Sequence, residues 1–83
     1  MSVDGICAAS GLTLYYSNEA ALVKKMIESS SKVSVTADSS KIGKNVFARV
    51  SDVRKTDILV TTVSDNREEL SAISKLGVEI YEA

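Results

Sequence analysis

Histidine, proline and tryptophan are missing from these 83 residues, and cysteine occurs once, as Cys7. Without histidine the chain cannot assemble a Ser-His-Asp or Cys-His relay of its own. One cysteine excludes an internal disulfide, and the missing histidines exclude a His-containing zinc site of the usual four-ligand kind. The phosphate-gripping loops G-x-x-x-x-G-K-[ST] and G-x-G-x-x-G are absent as well, so no nucleotide site and no cofactor are expected. Apolar runs are short. Ile58 to Val60 falls far below the roughly 18 residues that span a bilayer, and no charged segment precedes an apolar one at the start. Neither membrane insertion nor export is expected, and a lone cysteine fits a cytoplasmic setting.

Charge of a dominant sign is also lacking. Ten Lys and Arg face eleven Asp and Glu, for a net charge of −1. Duplex binding normally needs a clustered basic patch, so these residues are not expected to touch nucleic acid themselves. What is present, 45% hydrophobic and 25% charged residues, describes one soluble α/β-sized unit. A chain this short buries only about 60% of the surface its unfolded form exposes, near the lower limit of independent stability. Repeats and low-complexity tracts are absent, and with no proline nothing marks an internal boundary.

Between Asn18 and Ser30, Leu22, Val23, Met26 and Ile27 fall on one helical stripe, with Lys24, Lys25 and Glu28 around the rest. Ser17 or Asn18 is the expected N-cap, and Glu19 is favourably placed against the positive end of the helix dipole. Lys32 to Ala37 alternates Val33, Val35 and Ala37 with polar residues, a strand that ends at the turn-forming Asp38-Ser39-Ser40. Ile58 to Val63 is continuously apolar or β-branched, as an interior parallel strand requires. Asp65 and Glu68 have capping-box spacing, Leu70, Ile73 and Leu76 give a second helix its stripe, and Gly77 stands where a left-handed C-cap is expected. Val78 to Tyr81 alternates as a last strand. Parallel strands near 32–37, 58–62 and 78–82 and helices near 18–30 and 66–76 define a Rossmann-like parallel sheet in a three-layer α/β unit. Between them, Phe47 to Val50 has the composition of a brief strand and Ser51 to Lys55 that of a turn or short helix.

In open parallel sheets, ligands gather beyond the carboxyl ends of the strands. Asp4-Gly5, Asp38 to Gly43, and Thr61-Thr62 with Ser64 occupy such places. Lys41 can neutralise a phosphate whose oxygens the Ser39 and Ser40 hydroxyls and nearby backbone N–H groups orient. Spacing alone favours an Asx-turn with a solvated lysine over that reading. For Glu19, local evidence favours an ordinary first-turn acid over a ligand-facing carboxylate. Cys7 reads as a small, semi-buried hydrophobe and Tyr15-Tyr16 as the packing rim of a loop.

Taken in order, Val3-Asp4-Gly5-Ile6, Gly11-Leu12-Thr13, Asn18-Glu19-Ala20 with Lys24 to Ile27, and Ala37-Asp38-Ser39-Ser40-Lys41 with Gly43 and Phe47 closely resemble the C-terminal sensor domain of DeoR-family repressors. The resemblance spans essentially the whole chain and is most specific from Gly11 through Phe47. It implies a fold similar to ribose-5-phosphate isomerase and a phosphorylated sugar as effector. It also implies operator DNA bound through an N-terminal winged helix-turn-helix that has no counterpart here. Residues 1–83 then correspond to the C-terminal part of the sensor domain. By motif, the resemblance assigns Asp4, Gly5, Glu19, Asp38 and Lys41 to the effector site.

The isomerases share these segments but carry Asp-Gly-Ala-Asp-Glu and Glu-Lys, where this chain has Ile6 and Cys7 after Asp4-Gly5 and Ala20 after Glu19. Isomerisation needs a positioned base and groups that stabilise an enediolate. With the second carboxylate missing, binding without turnover is expected, an isomerase-like enzyme fragment being the alternative. A phosphoacceptor receiver would need an acidic pair at the end of its first strand, and Met1 to Gly11 has none. The abrupt start at Met1-Ser2-Val3 suggests a cut strand, and the apolar surface a partial domain exposes implies homo-oligomerisation.

Overall fold

A computed structural model describes all 83 residues and shows a small α/β fold of six strands and two helices. Strands β1 (Gly5–Cys7), β2 (Gly11–Leu14) and β4 (Ala48–Ser51) form an antiparallel sheet in the order β1-β2-β4. Strands β3 (Ser34–Ala37), β5 (Ile58–Thr61) and β6 (Glu79–Glu82) form a parallel sheet in the order β3-β5-β6. Helix α1 (Ser17–Ser29) follows β2, and α2 (Arg67–Lys75) joins β5 to β6. The three parallel strands and both helices lie where the sequence pattern puts them. The antiparallel sheet corrects the expectation of a parallel sheet alone. Gly5 to Cys7 and Gly11 to Leu14 are too short to display a period, and their residues are buried throughout, so no polar alternation announces them.

The parallel register is regular. Ser34, Val35, Thr36 and Ala37 lie beside Ile58, Leu59, Val60 and Thr61, which lie beside Glu79, Ile80, Tyr81 and Glu82. Beyond β3, Ser2 forms a parallel bridge to Thr36, and the Thr36 amide donates to the Met1 carbonyl at 2.7 Å, which extends the sheet by one more segment. Val3, Ile6, Leu12, Val35, Leu59, Leu70 and Ile73 belong to a single core that joins both sheets to the helices. No helix is long and apolar enough to cross a membrane.

Helix α1 buries a face different from the one expected. Ala20 and Ile27 are buried and Val23 half-buried, whereas Leu22 and Met26 are exposed. At about 100° per residue, Leu22 stands roughly 200° round the helix from Ala20, so a helix that seats Ala20 against the sheet must turn Leu22 outward. The N-cap is also shifted. Tyr16 occupies it with no side-chain bond, and its carbonyl accepts from the Ala20 amide at 3.0 Å. At α2 the cap moves one residue along from the expected Asp65, and Asn66 Oδ1 accepts from the Glu69 amide at 3.3 Å. The Asp65 carbonyl already closes a turn with the Arg67 amide at 2.9 Å, which leaves Asp65 outside the helix. Gly77 does adopt the left-handed conformation expected of a C-cap, with φ 96°.

Two short 3-10 turns repeat one device. Asp38 Oδ1 accepts from the Ser40 amide and opens the turn Ser39–Lys41, while Asp52 Oδ1 accepts from the Arg54 amide and opens Val53–Lys55, both at 2.9 Å. In each, an aspartate after or near a strand end satisfies a donor that the strand ladder leaves free.

Candidate functional site

Beyond the carboxyl ends of β3 and β5 lies a cleft of about 470 Å³, within the range of small-molecule sites. Its lining includes Ser2, Asp4, Thr36, Asp38, Lys41, Val60, Thr61 and Thr62. Three of the five expected effector residues, Asp4, Asp38 and Lys41, therefore meet in one place although Asp4 lies far from the other two in the sequence. Glu19 and Gly5 are not part of that lining. Glu19 is exposed in the first turn of α1. Gly5 is buried in β1, where a Cβ would stand 2.6 Å from both the Lys44 carbonyl oxygen and Thr13 Oγ1, so its place in the chain is explained by close packing.

The turn that follows β3 is internally tied. Asp38 accepts from both the Ser40 amide and the Ser40 hydroxyl. Those two bonds, the hydroxyl foremost, together with the charges of Lys41 and Lys44, hold the Asp38 carboxyl below its ordinary value. The Lys41 and Ile42 amides donate to the carbonyls of Asp38 and Ser39 at 3.0 and 3.3 Å, and the Ser39 amide donates to Thr62 Oγ1 at 2.8 Å. Every backbone donor from Ser39 to Ile42 thus has a partner inside the protein. The expectation that these N–H groups orient a phosphate is corrected accordingly: the donors left for an anion here are on side chains.

Lys41 is half-buried and its ammonium makes no ion pair, the two in the protein being Arg54 with Asp52 and Arg67 with Glu82. Thr62 accepts the Ser39 amide, which leaves its hydroxyl proton free to donate. Thr61 is buried and donates to the Thr62 carbonyl at 3.2 Å, so it braces the strand end. Asp4 is fixed by its neighbours. Its Oδ2 accepts from the Tyr15 amide at 3.0 Å and its own amide donates to the Thr13 carbonyl at 3.0 Å. The remaining carboxylate lone pairs of Asp4 and Asp38 are acceptors for hydroxyl groups. One unpaired cation, two carboxylates and a free hydroxyl suit a polyol that bears a single anionic group.

Thr61 and Thr62 are legible as polar residues at a strand end. Ser2 is not, because its place depends on a parallel bridge to Thr36 that no local pattern announces.

The sequence profile of the family described as the DeoR C-terminal sensor domain matches residues 1–63. Similar proteins include the HTH-type transcriptional regulator GlpR of Haloferax volcanii, 29% identical over 99% of this chain and 32% of that protein. The HTH-type transcriptional repressor GlcR of Bacillus subtilis is 27% identical over 84% of this chain and 27% of its own length. A protein of Escherichia coli O157:H7 that carries the name of an aga operon transcriptional repressor is 26% identical over 96% of the chain and 30% of that protein. The chain spans about a third of the length of the curated relatives it matches.

Proposed function

The chain belongs to the DeoR C-terminal sensor domain family, and on that premise we propose that it is effector-sensing machinery of a DeoR-type transcriptional repressor, with a phosphorylated sugar bound in the cleft beyond β3 and β5. The observation that carries this reading is that the unpaired Lys41 ammonium lines one cleft with the carboxylates of Asp4 and Asp38. Lys41 neutralises the phosphate, and the carboxylates and Thr62 take the sugar hydroxyls. In this reading residues 1–83 are the C-terminal part of the sensing domain. Operator DNA is bound through an N-terminal domain outside these residues, and the whole repressor works as a homo-oligomer in the cytoplasm. The parallel sheet with its crossover helix is then one portion of a Rossmann-like, three-layer arrangement similar to that of ribose-5-phosphate isomerase.

Binding without turnover follows from the same residues. A carboxylate held below its ordinary pKa is a weak proton acceptor at neutral pH, so Asp38 is poorly suited to general-base work. The relatives named above are transcriptional regulators, which agrees with a sensor.

Calorimetric titration of the chain with a panel of pentose and hexose phosphates, the matching unphosphorylated sugars and inorganic phosphate tests the proposal. Saturable binding that requires both the sugar and its phosphate is expected. Equal binding of phosphorylated and unphosphorylated sugars, or none by either, would overturn it.

A further inference from the structure

The two 3-10 turns differ in what becomes of the second carboxylate oxygen of the opening aspartate. At Asp52, Oδ1 accepts from the Arg54 amide and Oδ2 lies 3.8 Å from the Arg54 guanidinium, so both oxygens face a partner. At Asp38, the amide and the hydroxyl of Ser40 both donate to Oδ1, and Oδ2 has no partner. One amide bond is enough to open such a turn, as Asp52 shows. The Ser40 hydroxyl is therefore surplus to the fold of the turn. Its effect is to load one oxygen of Asp38 twice and to leave the other bare.

Asp4, the other carboxylate of the cleft, is divided in the same way: Oδ2 accepts from the Tyr15 amide, and Oδ1 is bare. A bare carboxylate oxygen only accepts, so each of the two reads a donor such as a ligand hydroxyl. Asp4 is clamped by backbone, whereas Asp38 is clamped in part by a side chain. With the Ser40 hydroxyl in place, rotating the Asp38 carboxylate breaks two bonds instead of one, and Oδ2 keeps its place. We infer that Ser40 is a positioning residue for effector binding, holding Asp38 so that Oδ2 is the oxygen that takes a sugar hydroxyl.

The inference rests on the reading of the cleft as a sugar-phosphate site. It also removes Ser40 from the groups that contact phosphate as donors, because a serine hydroxyl has one proton and this one is given to Asp38. The charged groups around Asp38 are Lys41 and Lys44, with Asp4 in the same cleft. Among the influences that hold the Asp38 carboxyl below its ordinary 3.8, the bond from the Ser40 hydroxyl is the largest, so its titration reports that bond without any ligand.

Two measurements on the full chain test it: calorimetric titration with the panel of pentose and hexose phosphates, and a carbon-detected NMR titration of the Asp38 carboxyl without ligand. Ser40→Ala is expected to weaken sugar-phosphate binding by roughly three- to tenfold at neutral pH. It should leave the melting temperature nearly unchanged and move the Asp38 titration up toward its ordinary value. Ser40→Thr keeps the hydroxyl and should preserve both affinity and titration. Arg54→Ala, the corresponding change in the other turn, should alter neither. In an Asp38→Ala background, Ser40→Ala should cost no further affinity, since it acts through that carboxylate. Unchanged affinity in Ser40→Ala, an Asp38 titration that it leaves unmoved, or a loss that Ser40→Thr does not restore would overturn this inference and leave the cleft reading intact. Binding of no member of the panel by the unaltered chain would overturn the cleft reading itself, and with it the ligand assigned here.

Discussion

Ser39 and Thr62 tie the ends of two neighbouring parallel strands together: the Ser39 amide, just after β3, donates to Thr62 Oγ1, just after β5, at 2.8 Å. This bond fixes the turn that carries Asp38 and Lys41 relative to the opposite wall of the cleft. Thr62→Val keeps the shape and removes the acceptor. It should cost roughly 0.5–1.5 kcal/mol of stability by urea denaturation, while Thr62→Ser should cost less. Binding of a sugar phosphate should fall in Thr62→Val more than the stability loss accounts for. Unaltered binding would mean that the turn holds its place without the bond.

Lys41→Ala should separate ligand binding from folding. An exposed or half-buried lysine contributes little to stability, whereas a charge-assisted bond to phosphate is worth about 1.5–3 kcal/mol, or roughly ten- to a hundredfold in affinity. Titration with a sugar phosphate, alongside the melting temperature, checks both halves. Asp38→Ala should lower both affinity and melting temperature, since Asp38 opens the turn as well as facing the cleft. Equal affinity in Lys41→Ala and the unaltered chain would remove this turn from the site.

Acid should unfold the protein partly through two surface carboxylates. Asp38 is held below its ordinary 3.8 by Ser40 and the nearby lysines, and Glu82 below 4.5 chiefly by its bond from Arg67, whose Nη1 lies 2.5 Å from Oε1. A carboxylate whose pKa is depressed by folding stabilises the fold above its unfolded value and loses that stabilisation as pH falls through the folded one. The loss should therefore begin below about pH 4.5 for Glu82 and lower for Asp38. Solvent screens both groups, so the effect is modest. Melting temperature against pH should be flatter in that range for Glu82→Gln and Asp38→Asn, and superimposable curves would show that neither group contributes.

The parallel half of the fold was legible because its signals are local. Val33, Val35 and Ala37 alternate, Ile58 to Thr61 is continuously β-forming, and Gly77 closes α2 as a left-handed cap should. The antiparallel sheet was not. The β1–β2 hairpin, Gly5 beside Thr13 and Cys7 beside Gly11, is too short to show a period, and the β2 to β4 register, with Leu14 beside Ala48, crosses more than thirty positions. The same limit applies to the cleft. Strand-end chemistry marked Asp4, Asp38, Lys41, Thr61 and Thr62, but only the tertiary fold brings them together with Ser2 in one cleft, and only it shows that the backbone donors of the turn are already spent.

Helix α2 is moored to the antiparallel sheet by Glu69, whose Oε2 accepts from the Ala8 amide at 2.6 Å in a partly buried setting. Removing a partner from such a bond leaves a donor with poor access to water. Glu69→Ala should cost about 1–3 kcal/mol. Glu69→Gln retains an acceptor and should cost less, which distinguishes loss of the bond from loss of charge. Chemical denaturation of the two variants decides between them, and identical destabilisation would point to the charge.

Gly5 separates packing from binding at the residue where motif and structure differ. The motif places Gly5 beside the sugar, yet the structure buries it with the Lys44 carbonyl and Thr13 Oγ1 both 2.6 Å from where a Cβ would be. Thr13 Oγ1 cannot move freely, because it accepts from the Val46 amide at 3.1 Å, and Lys44 presents backbone. Gly5→Ala must therefore push β1 away from the segment 44–46, a small-to-large change in a packed interior that costs about 1–3 kcal/mol. Its melting temperature should fall, while the affinity of the molecules that remain folded for a sugar phosphate should stay close to that of the unaltered chain. Lys41→Ala should show the reverse pattern, with stability kept and affinity lost. A Gly5→Ala variant that melts normally but no longer binds would place Gly5 in the site and defeat the packing explanation.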